Sequence, residues 1–233
     1  MRRALLLLML LLMLPPLSVF SKETTGVYTH VDTEERIVAL TFDDGPHPRY
    51  TPMILDILAE YDAKATFFVI GKNLEEYGEV TRRAAREGHE VGNHTYSHPA
   101  LHGVSKGKLM REILATESLI EETIGTPPSV FRPPEGYCPE GVKEVARGNG
   151  FSVILWDIDT RDWAGGNSHE IAEHVLKRTV PGSIILFHDY IAKNSPTPAV
   201  LKEILPRLAA AGYRFVTVSE LLSHATDTIK SEP

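Results

Sequence analysis

Cysteine is almost absent from this chain of 233 residues, which contains a single one, Cys138. One thiol cannot form an intrachain disulfide. A metal site built on several cysteine ligands is excluded for the same reason. The chain between residues 22 and 233 is nevertheless long enough for one domain with a large hydrophobic core.

The chain also lacks a hydrophobic run long enough to be a confident membrane span. Its longest apolar segment, Ala4 to Leu14, follows Met1-Arg2-Arg3 and precedes Pro15-Pro16, which is the layout of a secretory signal. An Ala-x-Ala cleavage pattern is missing, although Val19-Phe20-Ser21 is a tolerable substitute. Residues 1–21 are therefore predicted to be a signal peptide or, if uncleaved, an N-terminal anchor. The protein is expected to be secreted or held at the cell envelope.

Positive charge is in short supply as well. The chain has 24 Lys and Arg against 31 Asp and Glu, a net charge of −7, and loss of residues 1–21 would remove two more Arg. An acidic protein disfavours nucleic acid and anionic membranes as partners. No obligate protein partner is indicated, and a monomer is expected.

Strand and helix signals alternate from Ile37 onward. Seven short strands are predicted, at residues 37–40, 65–70, 89–93, 129–132, 151–156, 183–187 and 214–218. Between them lie helices, the first with Thr51 as N-cap before Pro52, and a long one capped by Ser105. Alternation of this kind implies parallel βα units in a barrel or an open sheet. One α/β domain is predicted at 36–222, between a linker at 22–35 and a polar tail at 223–233.

The residues best suited to chemistry fall at or just after the predicted strand ends. They are Asp43, Asp44, His94, Arg132, Asp162 and His188. Parallel βα architectures assemble their functional sites on the face formed by the carboxyl ends of the strands. These six residues are therefore expected to lie close together.

Two imidazoles and a carboxylate form a candidate metal site. His94 and His98 are four residues apart, and on one helical turn they would share a face. With Asp44 they provide three protein ligands and leave one position open, the pattern of a catalytic rather than a structural zinc site. A closed structural site would need a fourth ligand, but His89 and His102 are interpreted as solvated or core residues.

Candidate acid and base groups accompany this site. Arg132, fixed before two prolines, would keep Asp43 ionised and hold its orientation if the two side chains meet. Asp162 is a further carboxylate beside an aromatic residue. His188 follows a strongly apolar strand and is a candidate general acid near neutral pH.

Five stretches match, in order, the motifs of a known family. They are Thr41-Phe42-Asp43-Asp44-Gly45, His94 to His98, Arg132 to Gly136, Asp159 to Trp163 and Leu186-Phe187-His188. The chain between about Arg36 and Leu222 resembles the polysaccharide deacetylases (the NodB-type homology domain), which are metal-dependent carbohydrate N- and O-deacetylases. The resemblance implies an irregular (β/α) barrel with fewer than eight regular strands, which suits the seven predicted.

The resemblance also implies a role for each matching residue. Asp43 matches the catalytic base, and Arg132 matches the residue that orients it. The metal ligands of the family match Asp44, His94 and His98.

The remaining matches concern the acid and the substrate. His188 matches the catalytic acid, and Asp162 matches the carboxylate that tunes it. Leu186 matches a residue lining the acetyl pocket, with Trp163 beside it. Glu135 stands where the family often has an aromatic residue, at a position whose backbone N–H helps to hold the oxyanion. This departure bears on substrate preference rather than on the chemistry.

The activity implied is removal of N-acetyl groups from amino sugars of peptidoglycan or a chitin-like glycan. The implied cofactor is a divalent metal, Zn²⁺ in the first place, with Co²⁺, Mn²⁺ or Ni²⁺ as alternatives, and the partner is the glycan substrate. One alternative is an O-acetyl esterase acting on xylan or another acetylated polysaccharide. Another is a carbohydrate-binding protein that has lost catalysis, against which the intact acid and base residues weigh.

Overall fold

The computed structural model describes residues 25–191 and 194–226. The strands are β1 (Val27–Tyr28), β2 (Ile37–Asp43), β3 (Thr66–Val69), β4 (Glu90–Asn93), β5 (Val130–Phe131), β6 (Ser152–Ile154), β7 (Ile158–Asp159), β8 (Ile184–His188) and β9 (Arg214–Val216). The helices are α1 (Tyr50–Ala59), α2 (Gly71–Arg86), α3 (Lys106–Ile124), α4 (Glu140–Gly148), α5 (Ser168–Arg178), α6 (Thr197–Ala210) and α7 (Val218–Ser223). Two 3₁₀ turns lie at Pro134–Gly136 and Asp162–Ala164.

All nine strands belong to one parallel sheet with the order β1-β6-β5-β4-β3-β2-β8-β7, and β9 also pairs with β2. Residues 155–157 alone connect β6 to β7, although these strands lie near opposite ends of that order. The sheet must therefore curl round on itself, as an irregular barrel does. The predicted fold class is confirmed, and each of the seven predicted strands is present.

Two strands, β1 and β7, were not predicted from the sequence; each has only two residues and no apolar run marks it. One of them, β1, lies within the segment predicted as a linker and pairs with β6 through Val27 and Tyr28, so these two residues of that segment belong to the sheet. The first residues of the predicted tail contact the segment before β2. His224 Nδ1 lies 2.7 Å from Glu35 Oε1, and the Thr226 N–H donates to the Asp32 carbonyl at 3.0 Å. Residues 1–21 and 227–233 lie outside the described residues.

The central strand β2 is buried along its whole length. Alternate side chains of a strand point to opposite faces of a sheet. Val38, Leu40 and Phe42 pack in the larger core beneath the helices, so Thr41 and Asp43 point to the inside of the barrel. The inner core is filled by residues that include Ile37 and Ala39, which leaves the carboxyl end of the strand free to carry polar groups.

Helices cover the outer face of the sheet. The long helix α3 begins as predicted, with the Ser105 hydroxyl accepting a hydrogen bond from the Lys108 N–H, and ends at Gly125 in the left-handed conformation. Within residues 25–191 and 194–226, no helix is long and apolar enough to cross a membrane.

Candidate active site

The base and acid candidates stand on the inner face of neighbouring strands. In β8, Ile185 and Phe187 pack in the outer core, so Leu186 and His188 face inward by the same alternation that turns Asp43 inward. The parallel register pairs Asp43 with His188 and Thr41 with Leu186. The sequence therefore places these residues on one wall through strand geometry alone.

Arg132 forms a buried ion pair with Asp43 on the side away from the cavity. Its guanidinium is fully buried and donates to Asp43 Oδ1 at 2.7 Å and to Thr41 Oγ1 at 2.8 Å. It also donates to the carbonyls of Ile154 and Leu155 at 3.0 and 2.9 Å. A buried ion pair is favourable only when its remaining hydrogen bonds are satisfied, and here each guanidinium nitrogen has at least one acceptor. The arrangement occupies Oδ1 of Asp43 and leaves Oδ2 unoccupied, 3.7 Å from His94 Nε2.

The three predicted metal ligands converge. Asp44 Oδ1 lies 3.5 Å from Nε2 of both His94 and His98, and the three ligand atoms lie within 4.8 Å of one another. His94 Nδ1 donates to the Arg132 carbonyl at 2.7 Å, which fixes the tautomer and points the Nε2 lone pair at the site. Asp44 Oδ1 is buried and receives no hydrogen bond from any described residue. An unsatisfied buried oxygen beside two imidazole lone pairs fits a divalent cation.

Charge states in this cluster also suit a cation. Burial would raise the pKa of Asp44, but His94 and the charges of His188 and His98 hold it below its usual value. Burial and the neighbouring His94 lower the pKa of His98, which favours the neutral imidazole that binds metal. Burial opposes charge on His94, but Asp43 and Asp44 outweigh it and raise the pKa. A proton and a cation therefore compete for this histidine.

The predicted geometry of the two histidines was wrong in one respect. Residues 94–98 form a loop rather than a helical turn. Thr95 and His98 adopt left-handed backbone conformations, with φ of 67° and 50°, and the imidazole centroids are 5.0 Å apart. Thr95 is held there partly by Asn93 Oδ1, which accepts its N–H at 3.0 Å. A β-branched residue such as Thr95 rarely adopts positive φ, so the loop is strained. This loop, rather than a helical turn, brings the imidazoles of His94 and His98 together.

His188 is paired with Asp162. Its Nδ1 lies 2.7 Å from Asp162 Oδ1, and its backbone N–H donates to Asp162 Oδ2 at 2.8 Å. The Thr197 hydroxyl donates to the same Oδ2 at 2.6 Å. Burial alone would lower the pKa of His188, but Asp162, followed by Asp43 and Asp44, raises it to about 9. The ring is therefore cationic at neutral pH, as an acid requires.

A cavity of about 470 Å³ opens onto these groups. It is lined by Asp43, Asp44, His94, His98, Glu135, Trp156, Asp159, Trp163, Leu186 and His188. Of the ten predicted site residues, eight line it, while Arg132 and Asp162 lie behind Asp43 and His188. Trp163 is 58% exposed at its edge. The other two histidines do not join it: Nδ1 of His89 accepts the Ala65 N–H in the core, and His102 packs on Tyr137.

Three residues in or beside the site were not predicted from the sequence. Trp156 and Asp159 line the cavity. The strand predicted at 151–156 ends at Trp156, so the strand-end rule could have found that residue, and Asp159 begins one of the five matching motifs. The third, Asp189, is buried, and its Oδ2 accepts the Thr51 hydroxyl at 2.5 Å. Burial, opposed by Thr51 and reinforced by Asp44, raises the pKa of Asp189 to about 7.

The Thr51 contact corrects the predicted start of α1. The helix begins at Tyr50, with Arg49 rather than Thr51 in the N-cap position. The Thr51 hydroxyl is instead used between Asp189 and the His47 N–H, which donates to it at 2.8 Å. This residue therefore joins the β2–α1 loop to the end of β8.

Comparison with known proteins agrees with this geometry. The family model described as polysaccharide deacetylase matches residues 30–154, which contain the first three motifs. A peptidoglycan-N-acetylglucosamine deacetylase of Bacillus cereus is 43% identical over 205 residues, covering 87% of this chain and 96% of its own. The peptidoglycan-N-acetylmuramic acid deacetylase PdaC of Bacillus subtilis is 41% identical, over 82% of this chain and 40% of its own.

A solved structure extends the likeness to the whole barrel. It is a peptidoglycan N-acetylglucosamine deacetylase in complex with a substituted benzamide, and it has a TM-score of 0.82 at 36% identity. The alignment covers 86% of this chain and 94% of the other. Since the family model, the relatives and the fold agree, the chain belongs to the polysaccharide deacetylase family.

Proposed function

We propose that this protein is a metal-dependent deacetylase that hydrolyses the N-acetyl groups of amino sugars in peptidoglycan. One observation carries the proposal. Asp43 is tied through Oδ1 to a buried Arg132, and its free Oδ2 faces the Asp44, His94 and His98 cluster. A carboxylate held in this way can take a proton but cannot turn away from the site.

The reaction needs a proton removed and a proton supplied. Asp43 accepts the proton of the water that attacks the acetyl carbonyl carbon. His188, held cationic by Asp162, donates a proton to the amide nitrogen as the C–N bond breaks. The products are acetate and a free amino sugar. Leu186 on the cavity wall and Trp163 at its edge contact the acetyl group and the sugar ring.

A cation at Asp44, His94 and His98 would polarise the carbonyl and activate water. Two imidazoles and one carboxylate suit Zn²⁺, and Co²⁺, Mn²⁺ and Ni²⁺ are alternatives. The 3₁₀ turn at Pro134–Gly136 supports a further role for the backbone. Its two hydrogen bonds are donated by Gly136 and Tyr137, so neither uses the Glu135 N–H, which can donate to the carbonyl oxygen as negative charge develops.

The tests are chelation and one substitution. Protein loaded with Zn²⁺ should release acetate from peptidoglycan and from chitotetraose, lose this activity on chelation, and regain it when Zn²⁺ is restored. Asp43→Asn should be inactive, while Glu140→Gln, an exposed carboxylate outside the cavity, should retain activity. Undiminished acetate release by the chelated, metal-free protein or by Asp43→Asn would show that another site does the chemistry.

Export is part of the proposal. Met1-Arg2-Arg3 and the apolar run from Ala4 to Leu14 have the layout of a secretory signal, and peptidoglycan lies outside the cell membrane. N-terminal sequencing of secreted protein should begin near Lys22. Intact Met1 on membrane-bound protein would indicate an anchor instead.

A further inference from the structure

The cavity has an unbalanced charge at its mouth. Four carboxylates line it, namely Asp43, Asp44, Glu135 and Asp159, and no Lys or Arg from residues 25–191 and 194–226 does. Asp43 is paired with Arg132, and Asp44 belongs to the predicted metal site. Glu135 and Asp159 have no ion-pair partner among the described residues, and Asp159 accepts only the Arg161 N–H, at 2.9 Å.

Glu135 is held at this position by a rigid turn. The Gly136 N–H donates to the Pro133 carbonyl at 3.0 Å, and the Tyr137 N–H donates to Pro134 at 3.1 Å. Gly136 packs so closely on the cavity residue Trp156 that a Cβ would lie 2.7 Å from the indole. The backbone therefore cannot shift freely to move the side chain away from the cavity.

The conformation of Glu135 is itself unusual. Its φ is 58°, in the left-handed region, which is unfavourable for a residue other than glycine. Asn or Gly would adopt it more readily. Strained conformations of this kind cluster at functional sites, and here the strain holds an exposed carboxylate at the cavity.

We propose that Glu135 selects the reacting sugar by charge. This inference rests on the proposed function and adds the substrate preference of the same site. Peptidoglycan contains two N-acetylated sugars: N-acetylglucosamine is neutral with a free 3-hydroxyl, whereas N-acetylmuramic acid carries a lactyl group there. The Glu135 carboxylate accepts a hydrogen bond from a hydroxyl and repels a free lactyl carboxylate. A stem peptide joined to the lactyl group through an amide removes that charge, so by this criterion the cavity favours N-acetylglucosamine over peptide-free N-acetylmuramic acid.

The expected size of the effect is modest. If the Glu135 and lactyl carboxylates lie about 7 Å apart, at an effective dielectric constant of about 40, their repulsion should lower kcat/KM for the muramic sugar roughly five- to tenfold. Because the mouth of the cavity is open to solvent, salt should weaken this repulsion. Glu135→Gln keeps a hydrogen-bonding carbonyl and removes the charge.

The experiment uses peptide-free peptidoglycan strands, in which each N-acetylmuramic acid has a free lactyl carboxylate, and the same strands with those carboxylates converted to methyl esters. Mass spectrometry of the digested strands gives kcat/KM for each sugar, with chitotetraose as a neutral reference. The wild type should prefer N-acetylglucosamine at least tenfold on the free-acid strands. Glu135→Gln, methyl esterification or 0.5 M NaCl should each raise relative deacetylation of the muramic sugar about five- to tenfold, and esterification should add little to Glu135→Gln.

Two controls assign the effect. Glu140→Gln should keep the wild-type ratio, and Asp159→Asn tests the other unpaired carboxylate. The inference is overturned if Glu135→Gln keeps the wild-type ratio of kcat/KM for the two sugars, or if that ratio changes in Asp159→Asn alone. In either case, activity on chitotetraose would leave the proposed function intact. A wild-type protein that releases no acetate from chitotetraose or from the strands overturns both.

Discussion

Asp43 and His188 are register partners on adjacent parallel strands, and each is the last residue of its strand. Neighbouring strands lie about 4.8 Å apart, so the proton acceptor and the proton donor share one wall of the cavity. Each has its own buried partner, Arg132 for Asp43 and Asp162 for His188. The opposite charges of base and acid are thus maintained side by side by two separate ion pairs.

The first prediction separates the base from the metal ligand beside it. Asp43→Asn should lose acetate release by about 10²–10⁴-fold and still bind stoichiometric metal, because Asp44, His94 and His98 are unchanged. Asp44→Asn, its neighbour in sequence, should lose the metal as well. Metal analysis beside the acetate assay checks both. Equal metal loss in the two variants would contradict the division of labour.

The second prediction concerns the alkaline limb of the pH–rate profile. The pKa of His188 is raised to about 9, chiefly through Asp162 acting against burial, so the acid is lost as pH rises through that value. In Asp162→Asn the pKa should fall toward 6.5, and the limb in kcat/KM should move to lower pH by more than about one unit. Thr197→Val removes a hydrogen bond to Asp162 but keeps its charge, and should move the limb far less. An unmoved limb in Asp162→Asn would remove Asp162 from this role.

The third prediction tests the proton donor by varying the leaving group. An amide nitrogen must be protonated to depart, whereas an activated phenolate leaves without help. His188→Ala should therefore lose at least about 10²-fold on an N-acetylated sugar and much less on an activated acetate ester. Equal losses on the two substrates would leave His188 as a binding residue only.

The fourth prediction concerns Asp189, whose carboxyl is buried with Oδ1 unpaired among the described residues. Burial raises its pKa from 3.8 to about 7, so the folded state holds this proton more tightly than the unfolded chain. Its contribution to stability is therefore full below about pH 4, declines as pH rises to 7, and is lost above that.

Asp189→Asn should abolish this part of the pH dependence. Relative to the wild type, the metal-free variant should gain about 1–2 kcal/mol of unfolding free energy between pH 5 and pH 8, the discounted equivalent of the shift. Urea denaturation at the two pH values measures it, with Glu140→Gln as the matched control. The same difference from wild type at both pH values would mean that Asp189 does not titrate as described.

The rule that sites form at the carboxyl ends of parallel strands was enough to predict that Asp43 and His188 lie close together, whereas Leu186 was identified only through the family resemblance. The apolar runs identified the strands, and alternation along the observed strands explains why these three side chains face the inside of the barrel. The two-residue strands β1 and β7 could not be predicted, since each is too short to show a period of two and neither lies in an apolar run between turn signals. They exist because partners distant in sequence pair with them.

Contacts between distant residues account for the other errors. Thr51 was predicted to cap a helix, and only the fold brings Asp189, 138 residues away, to its hydroxyl. The same Asp189 explains Gly45, where a Cβ would lie 2.2 Å from a carboxylate oxygen. The loop at residues 94–98 likewise has distant partners: the Gly71 N–H donates to the Thr95 carbonyl at 3.0 Å, and the Ser97 N–H donates to Glu112 at 2.8 Å.

The most direct test of the account measures two products in one reaction. Purified Zn²⁺-loaded protein is incubated with peptidoglycan, and both acetate and newly formed free amino groups are quantified over time. Hydrolysis of N-acetyl groups predicts that the two rise in equal amounts, and that neither rises with Asp43→Asn or after chelation. Acetate without a matching rise in amine would mean that the protein cleaves O-acetyl esters, and would contradict the proposed N-deacetylase activity.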